Sequence, residues 1–147
     1  MTQFHCTTPV QLRFSDFDSL GHLNNSVYFQ LFDLGKSDYF NHVRGENIDW
    51  HHVPVMIVNV NCNFQSQTYF NETIAINTRT CRIGNKSFTL TQQLVNTATG
   101  EVKCSCDTVM VYIDLECGQP APIPADWRHD LAAFDHLQDA PQSSCGQ

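Results

Sequence analysis

The amino-acid sequence predicts an α+β domain in which one long helix lies beside a single sheet of five antiparallel strands. Three observations carry this expectation. Val58, Val60, Cys62 and Phe64 alternate with Asn59, Asn61 and Asn63, the period-2 pattern of a strand with one buried face. Tyr28, Leu31, Phe32, Gly35 and Tyr39 recur instead at helical spacing and would line one side of a helix. Turn residues at Gly84-Asn85 and Thr97-Ala98-Thr99-Gly100 divide the later segments, so that successive strands run back along one another. A helix layer on a sheet buries the apolar face of both.

In chain order, Val10, Leu12 and Phe14 alternate with Gln11, Arg13 and Ser15 and read as the first strand. The helix is expected from about Asn25 to Phe40. Gly35 within it costs of order 1 kcal/mol of helix propensity against alanine, which suggests that the sheet approaches closely there. The strand from Val53 to Phe64 reads as half-buried, and strands from Thr73 to Ile83 and Lys86 to Asn96 follow. Between those two, Gly84-Asn85 suits a two-residue hairpin turn with a positive φ at glycine. The last strand is expected from Glu101 to Asp114. Its apolar phase reads as shifting from Val102, Cys104 and Cys106 to Val109, Val111 and Ile113, and a bulge near Asp107 would account for this. Gln119-Pro120 should not extend the ladder, because proline has no N–H to give. Ala125 to Leu137 reads as a short helix started by Asp126, and the tail from Gln138 to Gln147 as disordered.

Composition limits the function classes. With 147 residues, 41% of them hydrophobic, the chain has material for one core, and residues 1–137 read as a single domain. A net charge of -7 with eight Lys and Arg argues against nucleic-acid binding, which needs clustered cations. Seven cysteines without a C-x-x-C pair fit reduced thiols better than a disulfide framework or a zinc ribbon. The first residues lack the charged-then-apolar pattern of a signal peptide, and no run of about 18 apolar residues occurs. A cytoplasmic protein without membrane attachment is the expectation.

The segment most concerned with chemistry runs from Arg13 to Tyr28. It sets Asp16, Asp18, Gly21, His22, Asn24 and Asn25 immediately before the helix. A free carboxylate can act as base or nucleophile, and the first N–H groups of a helix have no intrahelical partner. Phe14, Asp16, Asp18, Gly21, His22, Asn24, Asn25 and Tyr28 fill the pattern aromatic-x-D-x-D-x-x-G-H-x-N-N-x-x-Y. This resembles the signature of the hotdog-fold acyl-CoA thioesterases of the 4-hydroxybenzoyl-CoA thioesterase group. The resemblance spans roughly Val10 to Ile113 and includes Gly84-Asn85-Lys86-Ser87-Phe88.

The resemblance implies a sheet wrapped around the helix and hydrolysis of an acyl-CoA thioester to free acid and CoA. It implies Asp18 as nucleophile or general base, and the Asn25 backbone N–H as the donor that polarises the thioester carbonyl. His22 would orient substrate. Arg82, Lys86 and Ser87 would meet the phosphates of coenzyme A. Asp16 is assigned to satisfying turn N–H groups, Asn24 to capping, and Asn59 to the solvent side of its strand. Cys104 and Cys106 suit the core better than a metal site. His51 and His52 beside Asp49 could recruit a metal, but their neighbours Trp50 and Pro54 read as loop packing, so neither metal nor cofactor is expected. Relatives of this fold pair their sheets edge to edge, implying a homodimer or homotetramer in which Lys86 of one subunit serves Asp18 of the other. The alternatives are a non-catalytic module that binds acyl-CoA and a thioesterase acting on acyl-carrier-protein thioesters.

Overall fold

The computed structural model describes residues 3–138; the expected disordered tail lies outside them except for Gln138. Strand β1 (Cys6–Pro9) precedes helix α1 (Asn25–Arg44), which is followed by β2 (Val55–Phe64), β3 (Ile74–Ile83), β4 (Ser87–Asn96) and β5 (Val102–Asp114). A two-residue β6 (Gln119–Pro120) and helix α2 (Ala125–Phe134) complete the order. The five main strands form one antiparallel sheet in the order β1-β3-β4-β5-β2. The sheet curls around α1, which is the hotdog fold. Among the described residues no helix is long and apolar enough to cross a membrane.

The core lies between α1 and the concave sheet face in two parts. Leu23, Val27, Tyr28, Leu31 and Phe32 pack with Ile74, Ile76, Leu94, Cys104 and Cys106 near the start of the helix. Tyr39, Phe40, Phe88, Leu90, Met110, Trp127 and Leu131 pack around its far end. Gly35 sits where the helix approaches β3 most tightly: a Cβ there would lie 2.5 Å from Ile76 Cγ2 and 3.0 Å from Gln92 Nε2. The glycine is therefore needed for packing, as its place in a helical pattern suggested.

The helix runs one turn beyond Phe40. Its last residue, Arg44, is buried, with its guanidinium 4.6 Å over the Trp127 ring and paired with Asp126 and Asp130 of α2. Gly45 then turns the chain with a φ of 56°.

Several expectations are corrected. The first strand is Cys6–Pro9 rather than Val10 to Phe14. Val10 and Leu12 do pack on the core, but the Asp16 carboxylate accepts hydrogen bonds from Arg13 and closes a 3-10 turn at Phe14–Asp16 that sends Phe14 into solvent. Strand β2 is not half-buried in the single chain. It is the sheet edge, and Val58 and Val60 remain 55% and 42% exposed. Its register shifts between Ile57 and Asn59, leaving Val58 as the extra residue of a bulge.

In β5 the bulge falls at Lys103 and not near Asp107, because Leu94 pairs with Cys104 while Val95 pairs with Val102. The inward phase then runs unbroken through Cys104, Cys106, Thr108 and Met110. The β3-β4 hairpin forms, but Gly84 pairs with Ser87 and takes no positive φ; Asn85 and Lys86 are the two central residues. Gln119–Pro120 does pair with β5, since the neighbouring Ala121 N–H supplies the bond to Tyr112 O that proline cannot make.

Candidate active site

The loop before α1 is shaped by its own polar groups. Phe17 and Leu23 form an isolated antiparallel bridge, and Asp18 and His22 exchange a backbone bond, Asp18 N to His22 O at 2.9 Å. Gly21, at φ 80°, makes the reversal between them, a conformation that favours glycine. Within it, Asp18 Oδ1 accepts from the Leu20 N–H at 2.9 Å and the His22 N–H at 3.1 Å. The carboxylate is exposed and anchored through one oxygen. Its Oδ2 takes no hydrogen bond among the described residues.

Asp18 lines a pocket of about 350 Å³ together with Phe14, Phe17, Ser19, Gly21 and Phe70. The Phe70 ring meets Phe17 and Phe14 edge-on at 5.6 and 6.4 Å. A negative oxygen thus stands on the wall of an aromatic recess.

Asp16 differs in every respect. It is buried, and its two oxygens accept from the Arg13 N–H, Nε and Nη2 at 2.8, 3.2 and 2.8 Å. The Arg13 guanidinium holds its carboxyl below the usual carboxylate range, outweighing the opposing effect of burial. Its backbone oxygen accepts from Asn24 N. These bonds fix the loop, the structural task that the sequence assigned it.

Asn24 occupies the cap position of α1, but its side chain makes no capping bond; its carbonyl accepts from Val27 N at 3.0 Å. Asn25 is the first helical residue. No acceptor among the described residues engages its backbone N–H, as expected for the first turn of a helix. Asn25 lines a second pocket, about 210 Å³, with Tyr28, Phe64, Gln65, Ser66 and Gln67. Tyr28 OH shares a 2.9 Å hydrogen bond with the buried Thr68 hydroxyl, and burial holds the phenol above its ordinary pKa. It is a neutral hydrogen-bonding group in the lining of this pocket. His22 stacks edge-on against Tyr69 at 5.8 Å.

The remaining expected substrate residues lie elsewhere. Arg82 and Lys86 are exposed and Ser87 half-buried at the β3-β4 hairpin tip, beside Ile83 and Phe88 of the second core cluster. Asp18 is at the other end of α1, with roughly 20 Å of helix between the two clusters. One chain therefore does not bring the hairpin cations to Asp18.

Two features escaped the sequence reading. Phe70, which completes the aromatic recess, belongs to the β2-β3 loop and carries no local signal. The same loop is held by Lys103, whose ammonium meets Glu72 at 2.7 Å, Glu101 at 2.9 Å and Gln67 O at 3.0 Å. A lysine flanked by Val102 and Cys104 was the only hint of this anchor.

A family model described as the Thioesterase-like superfamily matches residues 12–133, and the chain belongs to that superfamily. Among proteins of known sequence, the uncharacterized protein YsmA of Bacillus subtilis (strain 168) is 28% identical over 120 residues, covering 80% of this chain and 79% of that one. Among solved structures, a predicted thioesterase from Bacillus stearothermophilus is 26% identical with a TM-score of 0.80, covering 92% of this chain and 98% of that one. A thioesterase from Thermus thermophilus, complexed with coenzyme A and Zn, is 24% identical with a TM-score of 0.82, covering 94% and 100%. The last likeness concerns the fold.

Proposed function

We propose that this protein hydrolyses acyl-CoA thioesters to the free acid and CoA. Asp18 either attacks the thioester carbonyl, whose C–S bond breaks to release the CoA thiolate and leave a mixed anhydride that water then opens, or takes the proton from an attacking water as the same C–S bond breaks. In both routes the thiolate leaves as CoA once protonated. The Asn25 N–H, at the positive end of α1, stabilises the oxyanion as it develops, and His22 helps to position the substrate. No cofactor takes part.

The observation that carries this reading is the Asp18 carboxylate, with Oδ1 anchored by two loop amides and Oδ2 without a hydrogen bond at the wall of an aromatic recess. Membership of the thioesterase-like superfamily supports it, as does the coenzyme A carried by the Thermus thermophilus protein.

The active unit is at least a dimer joined through β2. That edge presents Met56, Ile57, Val58, Val60 and Phe64 to solvent, and an unblocked apolar edge invites pairing. Pairing about a two-fold axis lets Arg82, Lys86 and Ser87 of one subunit serve the CoA phosphates beside Asp18 of the other, a site that a single chain leaves incomplete. The test is CoA release from a panel of acyl-CoAs, run beside the same acyl groups on acyl carrier protein. Turnover of the CoA esters supports the proposal. Turnover confined to carrier-protein esters would redirect it, and tight acyl-CoA binding without release would make the protein a binding module.

A further inference from the structure

Away from the Asp18 loop, where β1 packs on the C-terminal part of α1, three metal-ligating side chains of different chemistry converge. Cys6 is buried on β1, while Asp38 and His42 stand one turn apart on α1. Their donor atoms all lie within 4.8 Å of one another. About 20 Å of helix separates Asp38 from Asn25. We propose that Cys6, Asp38 and His42 form a binding site for a divalent transition-metal ion of the zinc class, tying β1 to α1.

The spacing suits such an ion. Cys6 Sγ is 3.8 Å from Asp38 Oδ2, and His42 Nδ1 is 3.5 Å from Asp38 Oδ1. A tetrahedral ion with bonds of about 2.0 to 2.3 Å holds its donors about 3.3 to 3.6 Å apart. Because the two distances run to different carboxylate oxygens, the Asp38 carboxylate would turn to present one oxygen to both partners, and the side chains would draw in from their present separation of up to 4.8 Å. His42 is exposed; its Nδ1 lies 2.8 Å from the Asp38 backbone oxygen, so ligation would break that hydrogen bond and leave the imidazole proton on Nε2. Thiolate, imidazole and carboxylate together favour zinc over magnesium or calcium. Water would fill the remaining coordination positions.

The surroundings point the same way. Asp38 has no Lys or Arg partner among the described residues; its side-chain contacts are Thr8, Cys6 and His42. Thr8 Oγ1 donates to Asp38 Oδ2 at 2.6 Å, the oxygen that also faces Cys6, and so orients the carboxylate, as outer partners of metal ligands do. Cys6 otherwise makes only long contacts, at 3.8 and 4.0 Å. Burial, and then the Asp38 charge, push its thiol up to about 11, so loss of the thiol proton is a cost that the metal–sulfur bond must offset. Binding would transfer the thiol proton to solvent and form the sulfur–metal bond.

Zinc alone should be titrated into the full chain, previously stripped with chelator, in competition with a chromophoric chelator. The expected result is one ion per chain at this site, and at least about tenfold weaker binding in both His42→Ala and Cys6→Ser. Cobalt(II) in place of zinc should give a thiolate-to-cobalt charge-transfer band that Cys6→Ser abolishes. If Cys6→Ser does not fold, His42→Ala, on an exposed helix face, decides the affinity arm. Unchanged zinc binding in folded His42→Ala, or a cobalt complex of the parent without a thiolate band, overturns the proposal. The first result would assign the ion to other groups, such as Asp49 and His52.

Discussion

Gly35 of α1 and Ile76 of β3 approach so closely that a methyl on the glycine would stand 2.5 Å from Ile76 Cγ2. Beside them, Gln92 donates from Nε2 to Phe32 O at 2.9 Å and to Thr78 Oγ1 at 3.0 Å. Gly35→Ala should improve helix propensity by about 1 kcal/mol yet force the sheet and Gln92 to move. Overpacking at such a contact costs about 1 to 3 kcal/mol. The net expectation is a lower midpoint in urea with unchanged m-value, and a more stable variant would refute the close approach.

The Lys103 cluster gives the fold a defined acid sensitivity. Burial alone would raise the Glu72 pKa, but hydrogen bonds from Lys103, the Tyr69 N–H and Asn96 outweigh it and hold it below its usual value. A carboxyl with a depressed folded pKa stabilises above its unfolded value, about 4.3, and loses that contribution as pH falls through the folded value. Stability of the parent should therefore fall below about pH 4.3. Glu72→Gln should be less stable at neutral pH and show a shallower acid loss. Equal slopes in the two proteins would remove Glu72 from the account.

Breaking the cluster from the other side should cost more. Lys103→Ala leaves Glu72 partly buried without its cation, and losing one partner of a buried pair costs about 3 to 5 kcal/mol. Glu101 is half-exposed, which places the expectation near the lower end. Thermal unfolding of the variant at neutral pH measures it.

How much of this was legible in the sequence follows from the range of each interaction. The helix could be read because its apolar stripe is local, and Gly35 stood out because it breaks a rule of helix propensity. The phase of β5 was misread by following Val109, Val111 and Ile113, which lie on the outer face, while Thr108 and Met110 continue the buried one. β-branched residues suit either face of a pleated strand, so residue type alone did not choose between them. Arg44 with Asp126 and Asp130, or Tyr28 with Thr68, join residues about 40 to 90 positions apart; no local pattern encodes such pairs. The loop-fixing role of Asp16 was legible in outline, whereas its Arg13 partner depended on a turn the alternating pattern concealed.

The edge strand and the hairpin cations test the assembly and the nucleotide contact. Val60→Lys places a charge on the exposed apolar face of β2 and should shift the protein toward monomer in sedimentation, with activity falling in parallel. A parent that sediments as a monomer with full activity would end the shared-site model.

Arg82→Ala combined with Lys86→Ala should raise KM for acyl-CoA much more than for the corresponding acyl-pantetheine, since only the former carries the nucleotide phosphates. Added salt should imitate the change in the parent. Equal effects on both substrates would take the hairpin out of the CoA site.

The most direct test of the central claim is the rate of CoA release by Asp18→Asn, measured beside the parent and beside Asp16→Asn, with circular dichroism and thermal unfolding on all three. The asparagine keeps the loop's shape but neither attacks the thioester nor accepts a proton as the carboxylate does. The account predicts that Asp18→Asn retains the parent's spectrum while its rate falls by about two to four orders of magnitude. Asp16→Asn, which weakens the bonds from Arg13, should instead lose about 1 to 2 kcal/mol of stability. Hydrolysis by folded Asp18→Asn at the parent rate would contradict the assignment of the chemistry to Asp18.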